Sequence, residues 1–307
     1  MIAECDLING MMGFLNIAKP PEWTSRDVVN KVQGMVRACK LKAGHAGTLD
    51  PMATGVLLVA VGAATRLISY AQGHEKIYRA TFRLGITSDT DDITGNVTTL
   101  SENIDVSREL LDAVLATFLG TIEQVPPQFS AIHVDGKRAY DLARAGQSVE
   151  LKAREIEVHE IRLERFEGNE FVCWIRCGSG TYIRSIGRDV GQILGCGAVM
   201  TSLERLAIGS CRVEDAVSPE MLSRENIESY LIPAGTLLSH LTRLAIDEEQ
   251  VSHLEQGRRL PWIDAIKIEP GAEVVLMDGE RLAGIGEWSE EMRVVQPKIV
   301  FKRGSST

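Results

Sequence analysis

Residues 44–55 gather the chemistry-bearing residue types of this 307-residue chain most densely: Gly44-His45-Ala46-Gly47-Thr48-Leu49-Asp50-Pro51-Met52-Ala53-Thr54-Gly55. A carboxylate such as Asp50 can serve as nucleophile, general base or general acid, and a loop feeding a buried strand is where folds present such a group. The glycines let backbone approach a ligand closely, and Pro51 stiffens the position after Asp50. Against this, an Asp-Pro pair in a loop is more often a turn former, and a lone loop histidine such as His45 is more often just solvated. The stretch is not a phosphate loop, because the glycine spacing and the Lys-Ser/Thr ending are missing. Cys173 and Cys177, four apart in a strand, face the same way and could form half a metal site. No second Cys or His pair stands at ligand spacing, so buried or idle reduced thiols and no metal are expected.

The elements that must position Asp50 can be read from periodicity. Residues 13–17 form a short strand that stops at the Lys19-Pro20-Pro21 turn. Ser25 is expected to cap a helix carrying Val28, Val29, Val32, Met35 and Val36 on one face. Residues 41–54 are loop-like, 56–61 an apolar buried strand and 63–71 a helix. Alternation over 77–84 marks a half-buried strand, and 89–95 an acidic turn. Helices are expected at 108–119 and 138–145, on either side of the Pro126-Pro127 loop. Residues 156–167 and 170–177 pair antiparallel about Gly168-Asn169, and a helix over 182–194 ends at Gly195. Without regular βαβ alternation, the expected class is α+β with a mixed, largely antiparallel central sheet. After residue 217 the texture changes, and 246–302 reads as short strands between glycines. The expected partition is a tail at 1–12, a body at 13–217 and a small β-rich domain at 240–303.

Composition fits a soluble globular protein, with 44% hydrophobic and 24% charged residues. The longest apolar run, 55–64, is far short of a membrane span, and no secretory signal is evident, so a cytoplasmic protein is expected. A net charge of −9 argues against a protein that simply coats nucleic acid. The distribution is uneven. Residues 13–83 hold ten Lys and Arg against four Asp and Glu, so this part carries +6 and the rest −15. A basic third on an acidic body can hold one polyanion locally, although solvated charge can also cluster this way.

The stretch around Asp50 resembles the catalytic motif of pseudouridine synthases, in the TruB family that modifies uridine-55 in the TΨC loop of tRNA. Gly13-Phe14-Leu15-Asn16-Ile17-Ala18-Lys19-Pro20 resembles that family's opening strand and turn, and Lys76-Ile77-Tyr78-Arg79 its tyrosine motif. Gln124-Val125-Pro126-Pro127-Gln128-Phe129-Ser130-Ala131, with Gly136-Lys137-Arg138-Ala139-Tyr140, resembles an insertion that grips RNA, placed at 124–150. Gly178-Ser179-Gly180-Thr181-Tyr182-Ile183-Arg184-Ser185 resembles its arginine motif. The motifs run in the family's order from residue 13 to about 211. More weakly, Leu254-Glu255-Gln256-Gly257-Arg258 is similar to the PUA-like domain many relatives carry.

The resemblance implies an isomerase that breaks a uridine's N-glycosidic bond, turns the base and rejoins it through carbon, without cofactor. Asp50 matches the nucleophile, Arg184 the cation paired with it, and Tyr78 the residue that stacks on the base or takes its proton. The base must leave its stack, and His45 matches the residue placed against the RNA left behind. Gly44, Thr48, Lys19, Arg66, Lys76 and Arg144 are candidate RNA contacts. The expected partner is the TΨC arm of tRNA, with no guide RNA and no membrane, and nothing demands more than a monomer. Three alternatives stand beside it: a relative guided by a small RNA, a non-catalytic RNA-binding module, and a carboxylate-pair glycosidase using Asp89, Asp91 and Asp92. The 130–146 stretch resembles the stand-alone enzymes, a pure binder has no need of Asp50, Tyr78 and Arg184 together, and no aromatic sugar platform is evident.

Overall fold

The computed structural model describes residues 11–130, 133–134, 137–138, 151–261 and 268–303. The N-terminal body runs β1 (Gly13–Lys19), α1 (Ser25–Val36), β2 (Ala43–His45), β3 (Thr54–Val61), α2 (Ile68–Gly73), β4 (Lys76–Leu84), β5 (Ile86–Ser88) and β6 (Val97–Thr99). It continues through α3 (Arg108–Ala116), β7 (Gly120–Gln124), β8 (His133–Val134), β9 (Lys137–Arg138), β10 (Arg154–Glu167) and β11 (Glu170–Cys177). It closes with α4 (Ile183–Ile193), β12 (Ala198–Ile208), β13 (Cys211–Arg212) and β14 (Leu231–Pro233). The C-terminal part follows as β15 (Thr242–Ala245), α5 (Glu248–Glu255), β16 (Leu260–Pro261), β17 (Glu273–Asp278), β18 (Arg281–Ser289) and β19 (Val294–Val300).

One ten-stranded sheet forms the body, in the order β14-β1-β3-β12-β4-β11-β10-β7, with β13 on β12 and β2 on β3. Its pairings are antiparallel except between β3 and β12, which meet in parallel at Thr54 with Glu204 and Gly55 with Arg205. The fold is therefore α+β with a mixed, largely antiparallel sheet, as the irregular element order predicts.

Strand β3 is apolar on both faces because both are covered. Leu57, Val59 and Val61 pack with Val28, Val29, Val32 and Val36 of α1, while Val56, Leu58 and Ala60 pack with Ala64, Leu67 and Ala71. A second core joins Tyr78, Ala80 and Phe82 of β4 to Ile183, Ile186 and Val190 of α4 and to Leu111 and Leu115 of α3. Cys173 and Cys177 are fully buried in it, and burial pushes their thiols up to about 12 and about 11.

Several local expectations shift. Thr24, not Ser25, caps α1: its side chain accepts from Asp27 N while the Asp27 carboxylate accepts from Thr24 N, a reciprocal box. The helix expected over 63–71 is a 3₁₀ turn, Gly62–Leu67, followed by the short α2. Among the strands that the sequence pattern does not name are β7 and β12, and β12 is central to the sheet. Residues 1–10 and most of the expected 138–145 helix lie outside the described residues; Arg138 itself is in β9. Met11, on the tail side of the expected boundary, is buried against β3 and α1.

The C-terminal sheet, in the order β15-β17-β18-β19-β16, has a core of its own. It also shares one with the body: Val275, Leu282, Ile285 and Phe301 pack against Phe14, Leu58 and Leu67. Among the described residues no helix is long and apolar enough to cross a membrane.

Candidate active site

Asp50 sits on the turn between β2 and β3, and neighbouring groups fix that turn from several sides. Ser25 Oγ accepts from Leu49 N at 2.8 Å and donates to Leu49 O at 3.1 Å, so the first residue of α1 serves the loop rather than the helix cap. Lys19 Nζ donates to Pro51 O at 3.0 Å and also to Pro20 O and Trp23 O. Ala53 N donates to Asp50 O at 3.0 Å, closing a turn over Pro51.

Arg184 comes to Asp50 from the first turn of α4. Gln124 sets that turn, accepting from Tyr182 N at 2.8 Å and donating to Tyr182 O at 3.1 Å. The Arg184 guanidinium grips Asp50 with two contacts, Nε to Oδ2 at 2.9 Å and Nη2 to Oδ1 at 3.0 Å. Its remaining donors go to Thr90 O and Phe129 O. Behind it, Asp92 Oδ2 lies 3.6 Å from Nη1, and Asp92 Oδ1 accepts from Thr94 N and the Thr90 and Thr94 hydroxyls. One buried cation is thus shared by two carboxylates. Burial raises the Asp50 carboxyl above its usual range, Arg184 pulls it back, and Asp92 pushes it up again. The Asp50 side chain keeps 28% of its surface open, against 7% for Arg184, so the carboxylate can be reached and its partner cannot.

The open side faces a cavity of about 570 Å³ walled by Tyr78, Leu203, Arg205, Lys76 and the 178–182 turn. Tyr78 lies on β4, in register with Ile175 of β11 and Arg205 of β12. Burial raises its phenol above the ordinary tyrosine range, an effect the neighbouring Arg205 guanidinium offsets in part. A phenol held protonated is a poor base and a serviceable flat wall. The cavity can therefore seat a planar group against Tyr78 with the Asp50 carboxyl at its edge.

Residues 35–183 match the TruB family pseudouridylate synthase N-terminal domain. The chain is 41% identical over 298 residues to tRNA pseudouridine synthase B of Microcystis aeruginosa (strain NIES-843), an alignment covering 95% of this chain and 100% of the relative. It is 40% identical over 300 residues to the protein of the same name from Syntrophomonas wolfei, covering 95% and 99%. The chain belongs to the TruB family of pseudouridylate synthases. Among solved structures, a Cbf5-Nop10-Gar1 complex contains a chain 25% identical that superposes with a TM-score of 0.73, covering 98% of this chain and 88% of that one.

In this synthase, Asp50, Tyr78 and Arg184 come together from three separate elements, as the motifs imply. The expected RNA contacts divide. Thr48 is exposed at the cavity. His45, half-buried at the end of β2, lies outside the cavity lining, and Gly44 faces Ile68, whose Cδ1 would stand 3.0 Å from an added Cβ. Lys19 and Lys76 are both buried, at 1% and 7% exposure, and Lys76 lines the cavity. Lys19 ties the Asp50 turn, and Lys76 Nζ donates to Gln72 O and His74 O at the end of α2. Burial lowers both to about 8. Arg66 is exposed, donates to Val300 O at 2.7 Å and lies over the Phe301 ring, so it also ties the C-terminal sheet. Arg144 falls outside the described residues.

Sequence reasoning missed Asp92 as a partner of Arg184, Ser25 as a tie to Leu49, and Arg205 altogether. The signal for Arg205 was a charged pair, Glu204-Arg205, set inside the Leu203-Glu204-Arg205-Leu206-Ala207-Ile208 run. The acids of the glycosidase alternative are committed elsewhere: Asp89 to Asn96, Asp91 to Arg188 and Asp92 to Arg184.

Proposed function

We propose that this synthase converts uridine-55 in the TΨC loop of tRNA to pseudouridine, acting alone, with Asp50 as nucleophile. The observation that carries this reading is the Asp50 carboxyl itself, paired by two contacts with a buried Arg184 and open toward the cavity beside Tyr78. The curated relatives at about 40% identity are tRNA pseudouridine synthases B, which supports tRNA as the substrate.

The extruded uracil lies on the Tyr78 ring, and Asp50 attacks at ribose C1′ or at uracil C6. The N-glycosidic bond breaks, the base turns, a carbon–carbon bond forms from C5 to C1′, the bond to Asp50 is released, and C5 loses its proton while N1 gains one. Redox state is unchanged from substrate to product, so the reaction calls for no redox cofactor. Flipping the base costs a few kcal/mol, which contacts to the T-arm offset. The base of the 124–130 segment is strapped to α4, since Ser185 Oγ and Arg188 Nη2 both donate to Val125 O. Any grip on RNA by that segment is thereby tied to the helix that carries Arg184.

A guided enzyme is the second reading, since the Cbf5 chain shares the fold. The stand-alone reading is favoured by identity of 41% to a tRNA synthase against 25% to that chain. The test is purified protein with unmodified tRNA, digested and mapped for pseudouridine by position. Product at position 55 without added RNA is expected, and Asp50→Asn should abolish it while tRNA binding stays within about tenfold. Near wild-type turnover by Asp50→Asn overturns the nucleophile, and dependence on added guide RNA overturns the stand-alone role.

A further inference from the structure

Arg205 is the largest fully buried side chain among the described residues, with 1% of its surface exposed. No carboxylate among the described residues forms an ion pair with it, an expensive state for a cation removed from water. Its donors go to backbone carbonyls: Nε to Val56 O at 2.7 Å, Nη2 to Gly47 O at 3.2 Å and Nη1 to Thr48 O at 3.4 Å. Those carbonyls bracket Asp50, two before it and one after. Arg205 is also the cross-strand partner of Tyr78, and its charge acts on that phenol.

The backbone is shaped around this side chain. At Gly55, φ is +95° and an added Cβ would lie 2.2 Å from Arg205 O, so glycine is what lets β3 and β12 meet there. Gly47, at φ +111°, would place a Cβ 3.7 Å from Arg205 Nη1. A register shift between Arg205 and Ala207 turns β12 at the same point.

We propose that Arg205 is a positioning residue that locks the Asp50 loop and Tyr78 into one reactive arrangement, setting nucleophile and base platform relative to each other. The assignment rests on Asp50 being the nucleophile. A planar fork with five N–H donors can bridge three carbonyls while its charge faces the neighbouring phenol, whereas an ammonium has three donors on one centre and cannot span them. Arg205 touches no reacting atom; it acts through the loop and the ring. Its charge also restrains the burial-driven rise of the Tyr78 phenol.

The experiment compares Arg205→Lys, Tyr78→Phe and the double variant on full-length protein with unmodified tRNA. Arg205→Lys is expected to lower kcat about a hundredfold while tRNA Kd changes by less than about threefold. The double variant should lose less than the product of the two single losses, because one interaction cannot be removed twice. Wild-type kcat in Arg205→Lys, or strictly multiplicative losses, overturns the proposal. Where Arg205→Lys does not fold, Gly47→Ala disturbs the fork from the loop side with the charge in place. There, a kcat loss at unchanged Tm and Kd supports the proposal, and unchanged kcat overturns it. Asp50→Asn run in parallel separates the two ideas: activity in that variant removes the nucleophile, whatever Arg205 does.

Discussion

At Asp50 two effects oppose each other: burial favours the neutral acid, and the Arg184 fork favours the carboxylate. The balance leaves the group above its ordinary range, because desolvation is the larger effect and Asp92 adds to it. A nucleophile must be ionised, so the acid limb of kcat/KM should have its midpoint above about 4, the unperturbed carboxylate value. A midpoint at or below that value in a pH–rate series counts against the site as described. The same shift has a sign in stability. A carboxyl with a raised folded-state pKa binds its proton more tightly folded than unfolded. Between the unfolded and folded values, stability therefore falls as pH rises, and the penalty is complete once pH exceeds the folded value. Asp50→Asn removes it, so its melting temperature at pH 7 should equal or exceed that of the wild type, with the gap closing toward pH 4. Tyr78→Phe tests the phenol: a ring that only stacks keeps measurable turnover, whereas complete loss would restore the proton-transfer role. Asp50, Tyr78 and Arg184 were legible because they occupy local motifs. Asp92 and Arg205 were not, since their roles exist only where α4 and β12 cross the 44–55 loop.

Elements are where sequence reading gained most and also lost its largest piece. Strands β3, β4, β10 and β11 and helix α4 announce themselves through apolar runs, alternation and a terminal glycine. Strand β12 does not, because neighbours cover it on both edges and it carries Glu204 and Arg205 in mid-run. Its polar interior residue pays off only against the glycine at position 55 of another strand. Two glycine substitutions separate local from tertiary control. Gly34 lies inside α1 with nothing within 4 Å of an added Cβ, so Gly34→Ala should stabilise by about 0.5–1 kcal/mol. Gly55→Ala meets both a positive φ and the Arg205 backbone, and should cost at least about 2 kcal/mol with loss of turnover. Urea unfolding of the two variants reads both signs. A mild effect at Gly55 would mean that β3 and β12 can part without harm to the site.

At the scale of the whole molecule, the issue is what the basic N-terminal third does with its charge. The sequence leaves that charge open between a polyanion and solvent, and the structure ties three of its ten cations to the protein's own groups: Lys19 and Lys76 to carbonyls, and the exposed Arg66 to Val300 and Phe301. The two sheets share a core, and Arg66 closes its edge, so its effect belongs to the joint between them. A phosphate contact and a structural clamp leave different traces. Each phosphate neutralised contributes about 0.9 to the slope of log K against log salt, so losing one contact lowers that slope by nearly one. Arg66→Ala should leave the slope for tRNA binding unchanged while lowering stability by about 1 kcal/mol, the worth of one hydrogen bond and a modest cation–π contact. The wild-type slope itself should be steep, because other cations must meet the backbone of a folded tRNA. A slope that flattens by about one in Arg66→Ala, with unfolding unchanged, would return Arg66 to the RNA and leave the shared core to hold the two sheets unaided.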